Sequence, residues 1–271
     1  MIAVSLFASS VRPKLYDFFF KSLEGTSVEY EVVFAGNNFS QEFKDSFRYG
    51  DKPIFIYVKT ANIKPAQCYE IARRNCQGDV VVWVADDCEF PNDVIGKAYK
   101  YWQSRNNEKL ILSIQTRETG YGLPQGKLFD MDIHRFFGGR LSTPLMAPLG
   151  LMSRTFLEEL GGIDRRYVCG QYENDIVMRA RAVGGSVEVF GDKETFIDID
   201  HLGKSLFIGE SKTQNDFLNR PFAIGYYKDR QVLEGSWTKN RQVVFLRNDQ
   251  FEPFEDVDLL VKSQSNKGIW E

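Results

Sequence analysis

The chain has 271 residues, of which 43% are hydrophobic and 26% are charged, and this composition excludes an intrinsically disordered protein. With 22 glycines and 9 prolines it is also too poor in these residues to be collagen-like or of low complexity. Its 34 basic and 37 acidic residues leave a net charge of −3, so no overall positive field marks it as a nucleic-acid-binding protein.

The sequence gives no sign of a membrane or secreted protein. The apolar start at residues 1–7 lacks the preceding basic residues of a signal peptide, and no apolar run approaches the ~18 residues of a membrane helix. The four cysteines form neither a CxxC pair nor a zinc-binding spacing; they are Cys68, Cys76, Cys88 and Cys169. We therefore expect reduced thiols and a protein without an integral membrane segment, in the cytoplasm or peripheral to a membrane.

In the first half of the chain, predicted strands alternate with predicted helices, which is typical of an α/β protein with a mainly parallel sheet covered on both faces. The predicted strands are Ile2–Phe7, Tyr30–Ala35, Ile54–Val58, Val80–Ala85 and Leu110–Thr116. The predicted helices are Leu15–Leu23, 65–77 and 91–104.

After residue 116 this alternation stops. Residues 117–144 are rich in glycine and proline and predict a long functional loop, which we expect to order over a bound ligand. Further strands are predicted at 145–152, Ser186–Phe190 and Thr195–Ile199, and further helices at Arg154–Leu160, 173–183 and 214–232.

Polar residues follow three of the early strands at the point where each strand ends. Ser9 and Arg12 follow the first strand, Asn37 the second, and Asp86 and Asp87 the fourth. Because ligands bind beyond the carboxyl ends of parallel strands, we expect these side chains to line one crevice.

The adjacent carboxylates of Asp86 and Asp87 are the most informative of these residues. Two carboxylates at the end of a buried strand repel each other unless a cation or hydrogen-bond donors neutralise them, and their hard oxygens suit Mg²⁺ or Mn²⁺. A solvated turn that caps the next helix is the other interpretation. A haloacid-dehalogenase-type phosphatase would need an Asp-x-Asp-x-Thr or Asp-x-Asp-x-Val run, which this segment lacks.

Several short motifs occur along the chain in a characteristic order. In the first half it contains Lys64-Pro65, a helix, Gly78-Asp79, an apolar strand, Asp86-Asp87 and Pro91. In the second half it contains Pro148–Arg154, Leu160–Asp164 and Tyr172–Asp175, followed by Arg179 and Arg181. In this order and spacing, residues 2–201 resemble the family 2 glycosyltransferases of the GT-A fold.

The resemblance implies a Rossmann-like α/β architecture, with three αβα layers around a mainly parallel sheet. It implies a glycosyltransferase domain over 1–205, composed of a nucleotide-binding half (1–116) and an acceptor half (117–205), with an extension at 206–271 packed on the same domain. The implied activity is metal-dependent, inverting transfer of a hexosyl or pentosyl group from a nucleotide-diphosphate sugar, with a UDP-sugar favoured, to an acceptor hydroxyl.

The same resemblance assigns residues to the donor. Ser9 and Val11 occupy the loop that touches the base and ribose, with Arg12 beside them. Asn37 stands where many members have an aspartate against the uracil, and Lys64 is a basic residue facing the nucleotide. Asp86 would hold the ribose side, and Asp87 would bind Mn²⁺ or Mg²⁺ at the diphosphate.

On the acceptor side, the resemblance makes Asp175 the catalytic base. Tyr172 and Glu173 are acceptor-binding residues, and Glu173 is the first substitute if the base is not Asp175. The resemblance also implies that His201, which corresponds to a late histidine that some members use for this purpose, is a second metal ligand. Without the resemblance, an aspartate in the first turn of a helix equally well stabilises the helix dipole, and a lone histidine is as well explained as a surface residue.

Two other classes of function stay open. A nucleotidyltransferase that forms sugar nucleotides would need a glycine-rich basic loop after the first strand, and residues 7–12 contain no glycine. A non-catalytic module that binds sugar nucleotides would keep the aspartate pair but would not need Asp175. The acceptor is a glycan, a lipid-linked sugar, a protein or a modified DNA base.

Overall fold

A seven-stranded sheet forms the centre of the protein. The structure, a computed structural model, describes residues 2–10, 12, 15–36, 48–49, 52–53, 55–60, 65–119, 127–129, 147–200, 220–239, 242–244 and 247–254. Its strands are β1 (Val4–Ser9), β2 (Tyr30–Gly36), β3 (Arg48–Tyr49), β4 (Lys52–Pro53), β5 (Phe55–Lys59), β6 (Val80–Trp83), β7 (Cys88–Glu89), β8 (Leu110–Ile114), β9 (Thr116–Thr119), β10 (Lys127–Phe129), β11 (Gly150–Ser153), β12 (Ser186–Phe190), β13 (Ile197–Asp200), β14 (Thr238–Lys239) and β15 (Gln242–Val243).

Six α-helices are described. They are α1 (Tyr16–Leu23), α2 (Pro65–Arg74), α3 (Val94–Arg105), α4 (Arg154–Glu159), α5 (Tyr172–Ala182) and α6 (Arg220–Trp237), and a short 3₁₀ helix (Pro91–Asp93) precedes α3. No described helix is both long enough and apolar enough to cross a membrane.

The strand order in the central sheet is β12-β8-β11-β6-β1-β2-β5. Every neighbouring pair is parallel except those of β11, which runs antiparallel to β6 and to β8. The predicted mainly parallel sheet is therefore confirmed. Apolar side chains fill both faces, with the aromatic residues of α1 on one side and α2, α5 and α6 on the other.

The chain changes sheets at Gln115, where a single strand over 110–116 was predicted. β8 ends at Ile114 in the central sheet, and β9 starts one residue later in a smaller sheet of order β10-β9-β13-β7. Of the predicted loop 117–144, residues 117–119 belong to β9 and 127–129 form β10. The rest of that loop lies outside the described residues, so its role as a lid stays a prediction.

The described parts of the C-terminal extension contact the acceptor half. Leu233 and Trp237 of α6 are buried with Ile176 of α5 in one apolar cluster. Further along, the Arg165 N–H donates to the Glu252 carbonyl at 2.9 Å. The predicted division of the chain at residue 205 stays a prediction.

Gly150 has no room for a side chain, because Trp83 covers it. A Cβ at Gly150 would lie 2.0 Å from Cζ2 of the Trp83 ring, whose indole N–H donates to the Ala147 carbonyl at 2.9 Å. We expect Gly150→Ala to lower the free energy of unfolding by about 1–3 kcal/mol through overpacking.

Urea unfolding measures this effect, with Gly235→Ala as the control. A Cβ at Gly235, in the last turns of α6, meets no atom within 4 Å. That substitution should raise stability slightly, because alanine is the better helix former. Equal stability of Gly150→Ala and the unsubstituted protein would contradict the close packing of Trp83 on β11.

Candidate functional site

The carboxyl ends of β1, β2 and β6, the three strands that the predicted polar residues follow, lie at one edge of the sheet because these strands are parallel. The Ser10 N–H donates to the Ala35 carbonyl at 2.8 Å, and the Thr60 N–H donates to the Gly36 carbonyl at 2.8 Å. A Cβ at Gly36 would lie 2.5 Å from the Ser10 carbonyl oxygen, so the residue after β1 packs closely against the end of β2.

Arg12 and the aspartate pair meet at this edge. The Arg12 backbone N–H donates to Asp86 Oδ2 at 2.5 Å, and its Nη1 donates to Asp86 Oδ1 at 3.2 Å. The same Nη1 forms an ion pair with Asp87 Oδ2. Asp86 and Asp87 are 1% and 7% exposed, so both carboxylates are buried beside one guanidinium.

This arrangement explains how two adjacent buried carboxylates are tolerated. Removing a carboxylate from water is costly unless opposite charge and hydrogen bonds replace the water, and Arg12 provides both. The oxygens of Asp87 are also of the chemical type that Mg²⁺ and Mn²⁺ prefer, so the donor set fits such an ion. Among the described residues, however, no group of three or more histidine, cysteine, aspartate or glutamate side chains is close enough to hold a metal.

The remaining donor residues are described only in part. Ser9 is 5% exposed, and its side chain forms a hydrogen bond with the Cys68 thiol. Burial raises the pKa of this thiol to about 11. Val11, Asn37 and Lys64, and the predicted metal ligand His201, lie outside the described residues.

Tyr69, which the sequence interpretation did not single out, connects the aspartate turn to helix α5. Its hydroxyl donates to the Val84 carbonyl at 2.7 Å, two residues before Asp86. Its ring packs against that of Tyr172, with 5.0 Å between ring centroids. The start of α5, where the acceptor-side residues were predicted, therefore lies beside the Asp86–Asp87 turn.

Glu173 is a partly buried carboxylate in the first turn of α5. Loss of hydration is the main cause that raises its pKa to about 7. Hydrogen bonds from backbone N–H groups lower this pKa, and the negative charge of Asp229 raises it further. A carboxylate with a pKa near neutral is suited to accept a proton, because it is ionised at working pH and still basic.

Asp175, the predicted base, has a different environment. It is 0% exposed, its Oδ2 accepts from Arg179 Nε at 2.7 Å, and its Oδ1 accepts from Trp237 Nε1 at 2.8 Å. Arg247 Nη1 lies 3.6 Å from Oδ1. A carboxylate closed off from solvent and held by these donors is poorly placed to receive a proton from an acceptor, so the contacts favour Glu173.

Arg247 joins Asp175 to a second buried carboxylate. Its Nη2 donates to Asp164 Oδ2 at 2.5 Å, and Asp164 also accepts from Arg166 Nη2 at 2.8 Å. These two arginines hold the pKa of Asp164 below its ordinary value despite burial. Asp164 and Asp175 thus form one charge network with residues of the C-terminal extension.

No protein-family model and no curated protein sequence matches the chain, but solved structures do. S. aureus TarS 1–349 in complex with UDP is 15% identical with a TM-score of 0.56, covering 73% of this chain and 60% of that one. The same TarS region in complex with UDP-GlcNAc is 14% identical, with a TM-score of 0.54 and coverage of 73% and 58%.

A second similar structure is that of GalNAc-T7 with UDP, GalNAc and Mn²⁺. It is 11% identical, with a TM-score of 0.62, and the match covers 89% of this chain and 49% of that one. The chain therefore spans only about half to three fifths of the proteins it matches. Both neighbours have the GT-A fold. The central sheet, the helices that flank it and the similarity to these structures show that the protein has the GT-A fold.

Proposed function

We propose that the protein is an inverting glycosyltransferase, which moves a sugar from a nucleotide-diphosphate donor to an acceptor hydroxyl. The observation that carries the proposal is the Tyr69 contact, which brings the buried Asp86–Asp87 pair and the partly buried Glu173 to one edge of a GT-A sheet. Such a transferase needs one site for the leaving diphosphate and a separate carboxylate for the incoming hydroxyl, and this edge offers both.

The donor half of the reaction is assigned to the residues that follow the strands. We place the nucleotide against Ser9, Val11, Arg12, Asn37 and Lys64, and favour UDP because the similar structures hold UDP or a UDP-sugar. Arg12 is the one described cation of this set. Its ion pair with Asp86 holds it at the strand ends, and we place the diphosphate beside it.

We assign metal binding to Asp87 and His201, with Asp86 on the ribose side. A bound Mn²⁺ or Mg²⁺ would act as a Lewis acid that stabilises the charge of the departing diphosphate. The Mn²⁺ in the GalNAc-T7 structure supports this assignment. The buried carboxylate of Asp87 would hold such an ion, and Arg12 would then share the carboxylates with it or turn to the phosphates.

Removal of the acceptor proton is assigned to Glu173. Its side chain is partly exposed and its pKa lies near neutral, so it can take the proton as the hydroxyl attacks the anomeric carbon. Attack opposite the diphosphate inverts that carbon and needs no enzyme nucleophile. Tyr172 packs beside this position and would border the acceptor. The class of acceptor stays a prediction: a glycan, a lipid-linked sugar, a protein or a modified DNA base.

The proposal is tested by incubating the protein with a panel of nucleotide sugars and Mn²⁺ while monitoring the release of nucleoside diphosphate. We expect one UDP-hexose or UDP-pentose to be hydrolysed slowly without acceptor, with the released sugar initially of inverted anomeric configuration. Release of pyrophosphate from a nucleoside triphosphate and a sugar phosphate would instead identify a nucleotidyltransferase. Tight binding of a nucleotide sugar, with no turnover on any acceptor class, would identify a binding module.

A further inference from the structure

One carboxylate of α6 binds three consecutive backbone N–H groups of the loop that leads into α5. Asp229 Oδ1 accepts from the Val168 N–H at 2.7 Å, and Oδ2 accepts from those of Cys169 and Gly170 at 2.8 Å and 2.9 Å. Asp229 is 0% exposed. A buried carboxylate with this many charge-assisted hydrogen bonds is a strong anchor for the loop.

The anchored loop is fixed on its other side as well. The Val168 carbonyl accepts the Ala66 N–H at 3.0 Å, in the first turn of α2. Gln171 follows with a φ of +67°, a left-handed conformation that a residue other than glycine keeps only when its surroundings hold it there. Glu173 stands two residues further on, so its place depends on this loop.

We propose that Asp229 is a positioning residue for Glu173: by binding the Val168–Gly170 amides, it fixes the start of α5 and the place of the Glu173 carboxylate. This inference rests on the function proposed above. It assigns to the C-terminal extension a part in the reaction that neither the fold nor the motifs indicate.

The test compares Asp229→Asn with the unsubstituted protein. Asparagine keeps the size of the side chain but replaces one of the two acceptor oxygens with an amide donor, so the loop loses part of its anchor. We expect kcat to fall ~10- to 10²-fold, because small displacements of a catalytic group cost this much, with the donor KM unchanged. Glu234→Gln, on the partly exposed side of α6 where Glu234 pairs with Arg230, is the control and should change neither value.

A pH profile separates positioning from general loss of structure. Within the described ranges, the titratable groups that interact with Glu173 are the Asp229 carboxylate, the Cys169 thiol and the Tyr172 hydroxyl. Because the negative charge of Asp229 raises the pKa of Glu173, its removal should move the acid limb of the kcat profile to lower pH. In a Glu173→Gln background, Asp229→Asn should have no further effect on kcat, since it acts through Glu173.

Alkylation of Cys169 reports on the anchor without any turnover. Burial and the Asp229 charge raise the pKa of this thiol, and its Sγ lies 3.3 Å from Asp229 Oδ2. Iodoacetamide should therefore label Cys169 at least ~5-fold faster in Asp229→Asn, because the thiolate is the reactive form. Cys68, Cys76 and Cys88 are buried and should stay unlabelled in both proteins.

These measurements distinguish failure of the inference from failure of the proposed function. Faster labelling with unchanged kcat and an unmoved acid limb would overturn the positioning role and leave the transferase intact. Absence of transfer by the unsubstituted protein would overturn the proposed function and with it the role, while labelling still reports on the loop. If Asp229→Asn does not fold, Asp229→Glu decides, because its longer side chain keeps the charge but displaces the three amides. A kcat lowered at least ~5-fold with the donor KM unchanged supports the role, and an unchanged kcat overturns it.

Discussion

Glu173→Gln is expected to lower kcat by ~10²- to 10⁴-fold and to leave the affinity for the nucleotide donor unchanged. Glutamine keeps the shape of the side chain but cannot accept a proton, whereas donor binding depends on groups at the strand ends. In the unsubstituted protein, kcat should rise with pH and reach half its plateau near the raised pKa of Glu173, about 7, because only the ionised carboxylate acts as base. Steady-state kinetics from pH 5 to 9, with donor binding by calorimetry, measure both.

Asp175→Asn is the matched comparison two residues along the same helix. It leaves Arg179 and Arg247 buried beside a neutral side chain, and loss of one partner of a buried ion pair costs about 3–5 kcal/mol. We therefore expect a marked fall in Tm together with lower activity. Normal stability of Asp175→Asn with a ~10²- to 10⁴-fold loss of kcat, and near-normal turnover of Glu173→Gln, would identify Asp175 as the base after all.

Asp87→Asn is expected to weaken binding of UDP in the presence of Mn²⁺ by at least ~10-fold, through loss of a charged metal ligand. With a chelator present, the variant and the unsubstituted protein should bind UDP with similar, weak affinity. Asp79→Asn is the control, because Asp79 is exposed at the opposite end of the same strand, β6. The metal role would be contradicted by two calorimetric results together: no effect of chelator on UDP binding, and equal UDP affinity of Asp87→Asn and the unsubstituted protein.

The sequence was sufficient to predict the crevice because strand ends carry local signals. The run Val80–Ala85 is apolar throughout, as a central strand buried on both faces must be, and the aspartates follow it directly. Once the strands are taken as parallel, Arg12 must come close to Asp86. The break at Gln115 had no such signal, since residues on both sides of it are equally compatible with one long strand.

The choice between Glu173 and Asp175 shows what local pattern cannot supply. The four-residue spacing of Asp175 and Arg179 is visible in the sequence and is that of an ion pair along a helix. Its burial, however, depends on Trp237 and Arg247, which lie far along the chain in a region without strong motifs. The anchoring of residues 168–170 by Asp229 is equally non-local.

Arg247, which pairs with both Asp164 and Asp175, affects the order in which parts of the protein can fold during synthesis. Both aspartates leave the ribosome more than 70 residues before Arg247. Until that arginine has emerged, the acceptor half contains two carboxylates that cannot be buried in their final surroundings. We therefore infer that β1, β2, β5 and β6 can pair during synthesis, whereas the surroundings of Asp164 and Asp175 are completed only after residue 247 has emerged.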